Sequence, residues 1–566
     1  MARAELSVLR QQNACAPIGV LPTELLGEIF KFCISKAIKE GEFSHRWLWL
    51  GHICHRWREV ALQTALLWTR ISLLEYTQHP ERVLEMLVRS GNAALDLHIE
   101  CPTVTPTVKA LVLAIPRARF VHYRSSNQTA DDLTPIIPHI APHLTAVKLV
   151  GDVAVHLFSE CETVQLQRIT INASSFSSEP RFLQGTSITR LDLSGGGWIP
   201  HSPAIFLVAL KNLPGLKWFF LNGEFTETIP VNDNTTVSLP CMTYISLRSL
   251  TFPILAFLYE RIKVPATARV YLDLTNMYED EAEEAEALID AIAAHFRELD
   301  ATSGTRIRAF AFNFTDTRAH EVELQIEAPS IKGFVTGKKY PHLRVGVAED
   351  SSPALDILFD ILGSVSLIDV SSVFLHSPYI YYEHDERRIR TEIISLLRDS
   401  PKITTVCFIG EQPSEWMPSF LLHHESTGPA PDHSVTSQRL LPQLSALYIS
   451  DANFRPPALR INRSKPSLYA NELVDLLSDR ARAGCPVQRV ILADSVGIWK
   501  DDVEAMRRRF MEEEMSCEVL WDGIRCIKRW TDFTAYDDSD SDGVEEEARS
   551  DDEEDFIGIE NFIDMI

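Results

Sequence analysis

The chain lacks any C-x-x-C pair, its ten cysteines being scattered from Cys15 to Cys526. Such spacing excludes a disulfide framework and a paired-cysteine zinc site, and it reads as reduced core thiols. No apolar run approaches the roughly 18 to 20 residues that span a bilayer. Met1 to Val20 lacks the apolar stretch of a secretory signal. The expectation is a cytosolic or nuclear chain with no membrane partner, in which the sequons at Asn127 and Asn234 are chance matches. Basic residues are also short: 54 Lys and Arg against 78 Asp and Glu leave a net charge of −24. That balance argues against nucleic acid or an anionic membrane as partner.

Signatures of catalysis are missing as well. No H-E-x-x-H or G-x-S-x-G occurs. Gly333-Phe-Val-Thr-Gly337-Lys338-Lys339 is one residue short of a phosphate loop and has Lys339 where a magnesium-binding hydroxyl belongs. Ser194-Gly-Gly-Gly197 lacks the G-x-G-x-x-G order of a dinucleotide site, so a wide turn after a strand is the better reading. His52-x-Cys54-His55 has no second cluster to complete a metal site. None of the ten cysteines has the electropositive setting of a reactive thiolate. The expectation is a protein that is not an enzyme and holds no cofactor and no metal.

What is present is size and greasiness: 566 residues, 45% of them apolar, are enough for a large core. The charge is uneven. Asp537 to Ile566 holds fourteen acids and one Arg, too charged to bury a core, and is expected to be disordered. Ser539 and Ser550 each have an acid three residues on, the spacing of acid-directed phosphorylation. Phe556, Ile559, Phe562, Ile563 and Ile566 fall near helical spacing and suggest a conditional docking helix.

From Val20 the chain reads V-L-P-T-E-L-L-G-E-I-F-K-F-C. Pro22 suits a helix start, and Leu21, Leu25, Leu26, Ile29, Phe30 and Cys33 form a wide apolar stripe. A second amphipathic block runs from Trp47 to Trp68, with Leu50, Ile53, Trp57, Val60 and Ala61 on one face. The pair carries more apolar surface than it can bury internally, which usually marks a partner site.

These residues resemble the F-box in its divergent fungal form. The matching elements are Leu21-Pro22-x-Glu24-Leu25-Leu26-x-x-Ile29-Phe30, then Ile53-Cys54-x-Arg56-Trp57-Arg58-x-Val60-Ala61, then Leu67-Trp68. The resemblance covers residues 18 to 72. It implies docking on the Skp-type adaptor of a cullin–RING ubiquitin ligase, with Leu21, Pro22, Leu25, Leu26, Ile29, Phe30, Ile53, Trp57, Val60 and Trp68 forming the packed unit or its interface. In one departure from the family, the connection Ile34 to Arg46 is longer and more polar than usual.

Past residue 90 a short pattern recurs, L-x-x-φ-x-φ with φ apolar, starting at Leu144, Leu166, Ile188, Leu216 and Met242. The steps of 22, 22, 28 and 26 residues fall in or near the range of leucine-rich repeats. Further copies start at Ile307, Ile403, Leu444 and Val487, with a degenerate one at Val270-Tyr-Leu-Asp-Leu. The alternation is that of a strand with one buried face. Helical stretches lie between copies: Pro203 to Leu213, Pro353 to Leu362 and Asn471 to Ala483. Glu279 to Leu299 reads as a helix with an acidic start.

This resembles the leucine-rich-repeat class, with a departure. Where the regular pattern places an Asn three residues after the last apolar position, the chain has Asp152, Ser174, Gly196, Glu224 and Leu250, so the turns must be closed differently. A mixed sheet with strands pairing out of order is the competing architecture.

The resulting expectation is an α/β chain of three parts: a helical F-box at 18–72, an irregular leucine-rich-repeat-like solenoid at 73–530, and a disordered acidic tail at 537–566. Functionally it reads as the substrate-recognition subunit of an SCF-type ligase, partnered by a Skp-type adaptor, the cullin ligase and an unknown protein substrate. A non-catalytic scaffold without a ligase role is the alternative.

Overall fold

The computed structural model describes residues 16–521 except 40–47, 75–79, 101–102, 125–139, 159–160, 174–186, 196–201, 224, 226–228, 230–234, 275–284, 305, 316–318, 326–341, 349–351, 377–382, 411–439, 451, 453, 455–467, 494 and 496–497. The acidic tail, its serines and its apolar end, the Gly333–Lys339 stretch, and residues 279–284 of the acidic helix start lie outside the described residues. The chain divides into two compact units, Met1–Leu250 with Arg261–Pro265, and Thr251–Glu260 with Ala266–Ile566. No described helix is long and apolar enough to cross a membrane.

The first unit opens on α1 (Thr23–Lys39), α2 (Leu50–Ile53) and α3 (His55–Gln63), then a 3-10 turn at Ala65–Trp68. The second amphipathic block is therefore not one helix. It breaks at Cys54, which is extended (φ −156°, ψ 169°) and whose sulfur caps the Trp57 N–H at 3.5 Å.

The sheet of this unit follows: β1 (Arg70–Leu73), β2 (Leu95–Glu100), β3 (Ala118–Arg124), β4 (Ala146–Val150), β5 (Arg168–Asn172), β6 (Arg190–Ser194), β7 (Trp218–Asn222) and, beyond the two-residue β8 (Val237–Ser238), β9 (Tyr244–Arg248). Each strand pairs in parallel with the next in chain order, β7 pairing with β9. β8 pairs instead with β10 (Ile262–Lys263). Helices α4 (Pro80–Arg89), α5 (Pro106–Leu113), α6 (Asp152–Phe158) and α7 (Pro203–Lys211) lie in the connections. Both α5 and α7 begin on a proline at the first turn, and Thr105 caps α5 by accepting the Val108 N–H at 3.2 Å.

Ala146 faces Arg168, Arg168 faces Arg190, and Trp218 and Tyr244 follow, which are the steps of 22, 22, 28 and 26 residues expected from the pattern. The apolar positions stack into columns. Leu97, Val121, Val147, Ile169, Leu191, Phe219 and Ile245 form one, all fully buried. Each such side chain contributes about 1.5 to 3 kcal/mol before conformational entropy is subtracted. The leading residues Leu144, Leu166, Ile188, Leu216 and Met242 are buried too.

Hydroxyls tie the entries of successive strands together. The residue after the leading apolar position is often Ser or Thr, and its hydroxyl donates to a backbone carbonyl one repeat back. Thr145 donates to Arg119 (2.9 Å), Thr189 to Gln167 (3.2 Å) and Thr243 to Lys217 (2.7 Å). The second unit repeats the device with Ser371 to Arg308, Thr404 to Ser371 and Ser445 to Thr404, each at 3.2 Å. The hydroxyls reinforce the backbone ladder at the entry of the strands, the end opposite to that where the regular pattern places its Asn.

The second unit contains α8 (Phe252–Arg261, to Glu260), β11 (Arg269–Leu274), α9 (Ala285–Ser303), β12 (Ala309–Thr315), β13 (Ala319–Gln325), β14 (Leu343–Ala348), α10 (Ser352–Ser364), β15 (Ser372–His376), α11 (Glu383–Arg398), β16 (Thr405–Ile409), β17 (Ala446–Ser450), α12 (Leu468–Arg482), β18 (Arg489–Ala493), α13 (Lys500–Glu512) and β19 (Glu518–Trp521). From β12 through β15 to β19 the pairing is parallel and, apart from the excursion described next, consecutive.

The start of this sheet departs from chain order. β13 is antiparallel to both β12 and β14, and β14 returns to pair with β11, so the order is β11, β14, β13, β12, β15. Only three residues separate β12 from β13, enough for a reversal but not for the crossover of a dozen or more residues that parallel pairing needs. Here the out-of-order pairing of the competing architecture is present locally.

A second difference concerns the faces. In this unit the middle residues of the pattern, Ala311, Phe374, Cys407, Tyr448 and Ile491, are buried as fully as Phe310, Val373, Val406, Leu447 and Val490. The strands read V-C-F, L-Y-I and V-I-L with no polar residue between, so both faces are buried, not one.

This unit also carries an acid-labile group. His342 is buried, its Nε2 lies 3.0 Å from the Ala266 carbonyl, and its ring sits 5.7 Å from that of His295. Burial, then the His295 charge, lowers its pKa from 6.5 to about 4 despite the Ala266 carbonyl. Between pH 6.5 and 4 the unfolded chain binds more protons than the folded one, so stability is complete above pH 6.5 and falls as the pH drops toward 4. The loss is on the order of 3 kcal/mol. Urea unfolding followed from pH 7 to 4 is expected to show this slope in the parent protein and a shallower one in His342→Gln, which stays neutral throughout.

Candidate functional site

The N-terminal helices sort the motif residues into two sets. Leu26 and Phe30 of α1 are fully buried, and the Phe30 ring meets Trp57 of α3 at 5.1 Å. Val60, Ala61, Leu67 and Trp68 complete this packing, the Trp68 indole N–H donating to the Ala61 carbonyl at 2.8 Å and Arg89 stacking over its ring at 5.1 Å. The Arg56 guanidinium donates to the Leu21 carbonyl, which ties the start of α1 to α3. Arg58 donates to the Gly51 carbonyl at 2.8 Å and holds α2 against α3 across the break at Cys54.

The other set faces out. Leu25, Ile29 and Phe32, at i, i+4 and i+7 on α1, are 52, 38 and 73% exposed. Pro22 is exposed and Leu21 half-buried. Ile53 is exposed because the chain breaks away at Cys54 directly after it, so it does not share the packed face with Leu50, Val60 and Ala61 as the continuous block would have it. Trp57 is half-buried. Of the expected site residues, Pro22, Leu25, Ile29 and Ile53 are thus available to a partner, while Leu26, Phe30, Val60 and Trp68 are core.

A second surface lies on the sheet of the first unit. The side opposite the buried columns is a row in register: Ser72, His98, His122, Lys148, Thr170, Asp192, Phe220 and Ser246. Beside it, Arg119 makes a bidentate pair with Asp96 (2.6 and 2.7 Å), and Arg70 reaches the same carboxylate at 3.3 Å. Farther along, Trp218 and Tyr244 stack at 3.9 Å, Arg190 lies over Trp218 at 4.7 Å, and Arg248 lies over Phe220 at 5.3 Å. Stacked aromatics held by guanidinium groups on a rigid sheet are the composition of a protein-binding hot spot.

At the other end of the row the rings of His98 and His122 stack at 4.2 Å, with Glu100 beside both. Burial lowers both histidine pKa values, that of His122 to about 3, with the neighbouring His98 adding to the effect. Sequence reasoning passed over all three residues. Their signal is H-x-E followed by a His at the repeat step, and it becomes visible only when the register is extended back to β2 and β3.

Three thiols among the described residues, Cys161, Cys407 and Cys517, are raised, not activated. Burial pushes Cys161 and Cys517 up to about 11, and Cys407 higher still. A nucleophilic cysteine requires the opposite shift.

No protein-family model matches the chain, and no curated protein matches it. The functional reading therefore stands on the motif residues and on these two surfaces.

Proposed function

We propose that the protein is the substrate-recognition subunit of an SCF-type cullin–RING ubiquitin ligase. In this reading the N-terminal helices are an F-box that docks a Skp-type adaptor, and the sheets are a degenerate leucine-rich-repeat-like solenoid that presents a protein substrate. The observation that carries it is the outward stripe of Leu25, Ile29 and Phe32 on the helix that opens with L-P-x-E-L-L. A helix that buries Leu26 and Phe30 on one side and leaves three large apolar residues on the other has two apolar faces, and the second calls for a partner.

The repeat reading is supported by the register steps, the stacked apolar columns and the hydroxyl ladder. The substrate surface is assigned to the polar face of the first sheet, where Arg190, Trp218, Tyr244, Phe220 and Arg248 converge. Catalysis in such a complex belongs to the other subunits. This chain supplies proximity, raising the effective concentration of substrate lysines near the charged enzyme.

The test is binding of the full chain to a purified Skp-type adaptor. Leu25→Asp with Ile29→Asp is expected to weaken it at least tenfold, or about 1.4 kcal/mol, with an unchanged circular dichroism spectrum. Leu21→Ala with Pro22→Ala is expected to do the same. Unchanged affinity in the folded variants removes the adaptor assignment, whereas adaptor binding without cullin recruitment converts the reading to a scaffold.

A further inference from the structure

We propose that His98, His122 and Glu100 bind a divalent first-row metal ion, zinc(II) foremost, on the polar face of the first sheet. Parallel pairing sets His98 of β2 directly beside His122 of β3, and Glu100 lies two residues on from His98, on the same side of the strand. The Glu100 Oε1 atom is 3.5 Å from His98 Nε2 and 3.9 Å from His122 Nε2. One donor atom from each residue falls within a 4.8 Å cluster. Zinc–nitrogen bonds of about 2.0 Å in tetrahedral geometry place neighbouring ligands about 3.3 Å apart. Side-chain torsions alone can close the remaining gap, since the strands already fix the backbone.

Burial argues in the same direction. His122 is 8% exposed, and its Nε2 has no hydrogen-bond partner among the described residues. A buried polar nitrogen left without a partner costs about 1 to 3 kcal/mol, which a metal bond would relieve. An imidazole of ordinary pKa, about 6.5, is mostly neutral at physiological pH, so each ring has a lone pair to offer a metal. Two imidazoles and one carboxylate suit zinc and its neighbours, and exclude calcium and magnesium, which require an oxygen shell.

Two cations oppose the site. Lys148 stands beside His122 on β4, and Arg124 Nη1 is 3.8 Å from Glu100 Oε1. Both are exposed, so they can turn into solvent when the metal enters. Three protein ligands leave a coordination position open on the face that also carries Trp218 and Tyr244. A water or a donor side chain of a bound protein can occupy it.

The full chain without a histidine tag should be titrated with cobalt(II), then with zinc. One cobalt per chain is expected, with visible d–d bands, no thiolate-to-metal charge-transfer band, and displacement by zinc. His98→Gln, His122→Gln and Glu100→Gln should each weaken binding at least tenfold, and Lys148→Ala should strengthen it. Zinc should raise the melting temperature of the parent protein but not of Glu100→Gln, a half-exposed isosteric change that leaves the fold intact. The proposal is overturned if the parent chain binds no cobalt, if the bands show cysteine ligation, or if Glu100→Gln binds as tightly as the parent. None of these outcomes bears on adaptor binding, so the two proposals fail separately.

Discussion

Gly195→Ala is expected to lower the stability of the first unit by about 3 kcal/mol or more, through strain at a backbone position that only glycine occupies. Gly195 directly follows β6 with φ +127°, and its N–H donates to the Asn222 carbonyl at 3.1 Å. A Cβ built there would lie 2.0 Å from the Ala173 carbonyl oxygen, a backbone atom in the neighbouring repeat. Backbone cannot swing aside as a side chain can, so the alanine must push the end of β6 away from its neighbour and lose ladder bonds. Gly91 supplies the comparison. It too has positive φ, +52°, but nothing lies within 4 Å of its would-be Cβ, so Gly91→Ala should cost only the left-handed penalty of about 1 to 2 kcal/mol. Hydrogen exchange should then rise sharply across β5 and β6 in Gly195→Ala and stay local in Gly91→Ala. Equal effects of the two substitutions would show that close approach between repeats is not what holds this turn.

The same residue shows what could be read in advance. Ser194-Gly-Gly-Gly197 marked a turn after a strand, and the strand and the turn at Gly195 are where the pattern put them. The repeat was legible because its leading Leu, Ile or Met and its two φ positions all point into one core, leaving a regular footprint in the sequence. Strands whose leading position is filled otherwise escaped it. In β3 the leading place, three residues before Val121, is held by Ala118, which is fully buried but is not one of the large apolar residues that mark the pattern. β13 follows no repeat at all, because its antiparallel place depends on a short connection and not on periodic burial.

Site residues were legible in a more limited way. The L-P-x-E-L-L helix showed which positions are apolar, but not which of two apolar stripes turns inward. That choice is made by Trp57 packing on Phe30 and by the break at Cys54, both tertiary events. The His98, Glu100 and His122 cluster exists only across two paired strands. No linear motif could announce it without the register.

Arg480→Ala is expected to be among the most destabilising single changes in the second unit, costing about 4 kcal/mol. Arg480 lies near the end of α12 and is fully buried, although a charged residue in an amphipathic helix reads as solvent-facing. Its Nη1 donates to the Leu440 carbonyl at 3.1 Å and its Nη2 to the Leu441 carbonyl at 2.7 Å. Leu441 has φ +56°, an unfavourable conformation for a leucine, so the guanidinium fork helps hold a strained bend that leads into β17. Alanine would leave two buried carbonyls without these donors, at about 1 to 3 kcal/mol each, and open a cavity the length of an arginine side chain. Arg480→Met separates the two contributions, since it fills most of the volume but donates nothing. It should cost about 2 kcal/mol less than alanine if the cavity matters as much as the hydrogen bonds. Urea midpoints for the three proteins, with hydrogen exchange at β17 and β18 as the local readout, test this. A loss below about 1 kcal/mol in Arg480→Ala would mean that the bend at Leu441 is held by the packing of Leu441 and Leu444, and not by the buried charge.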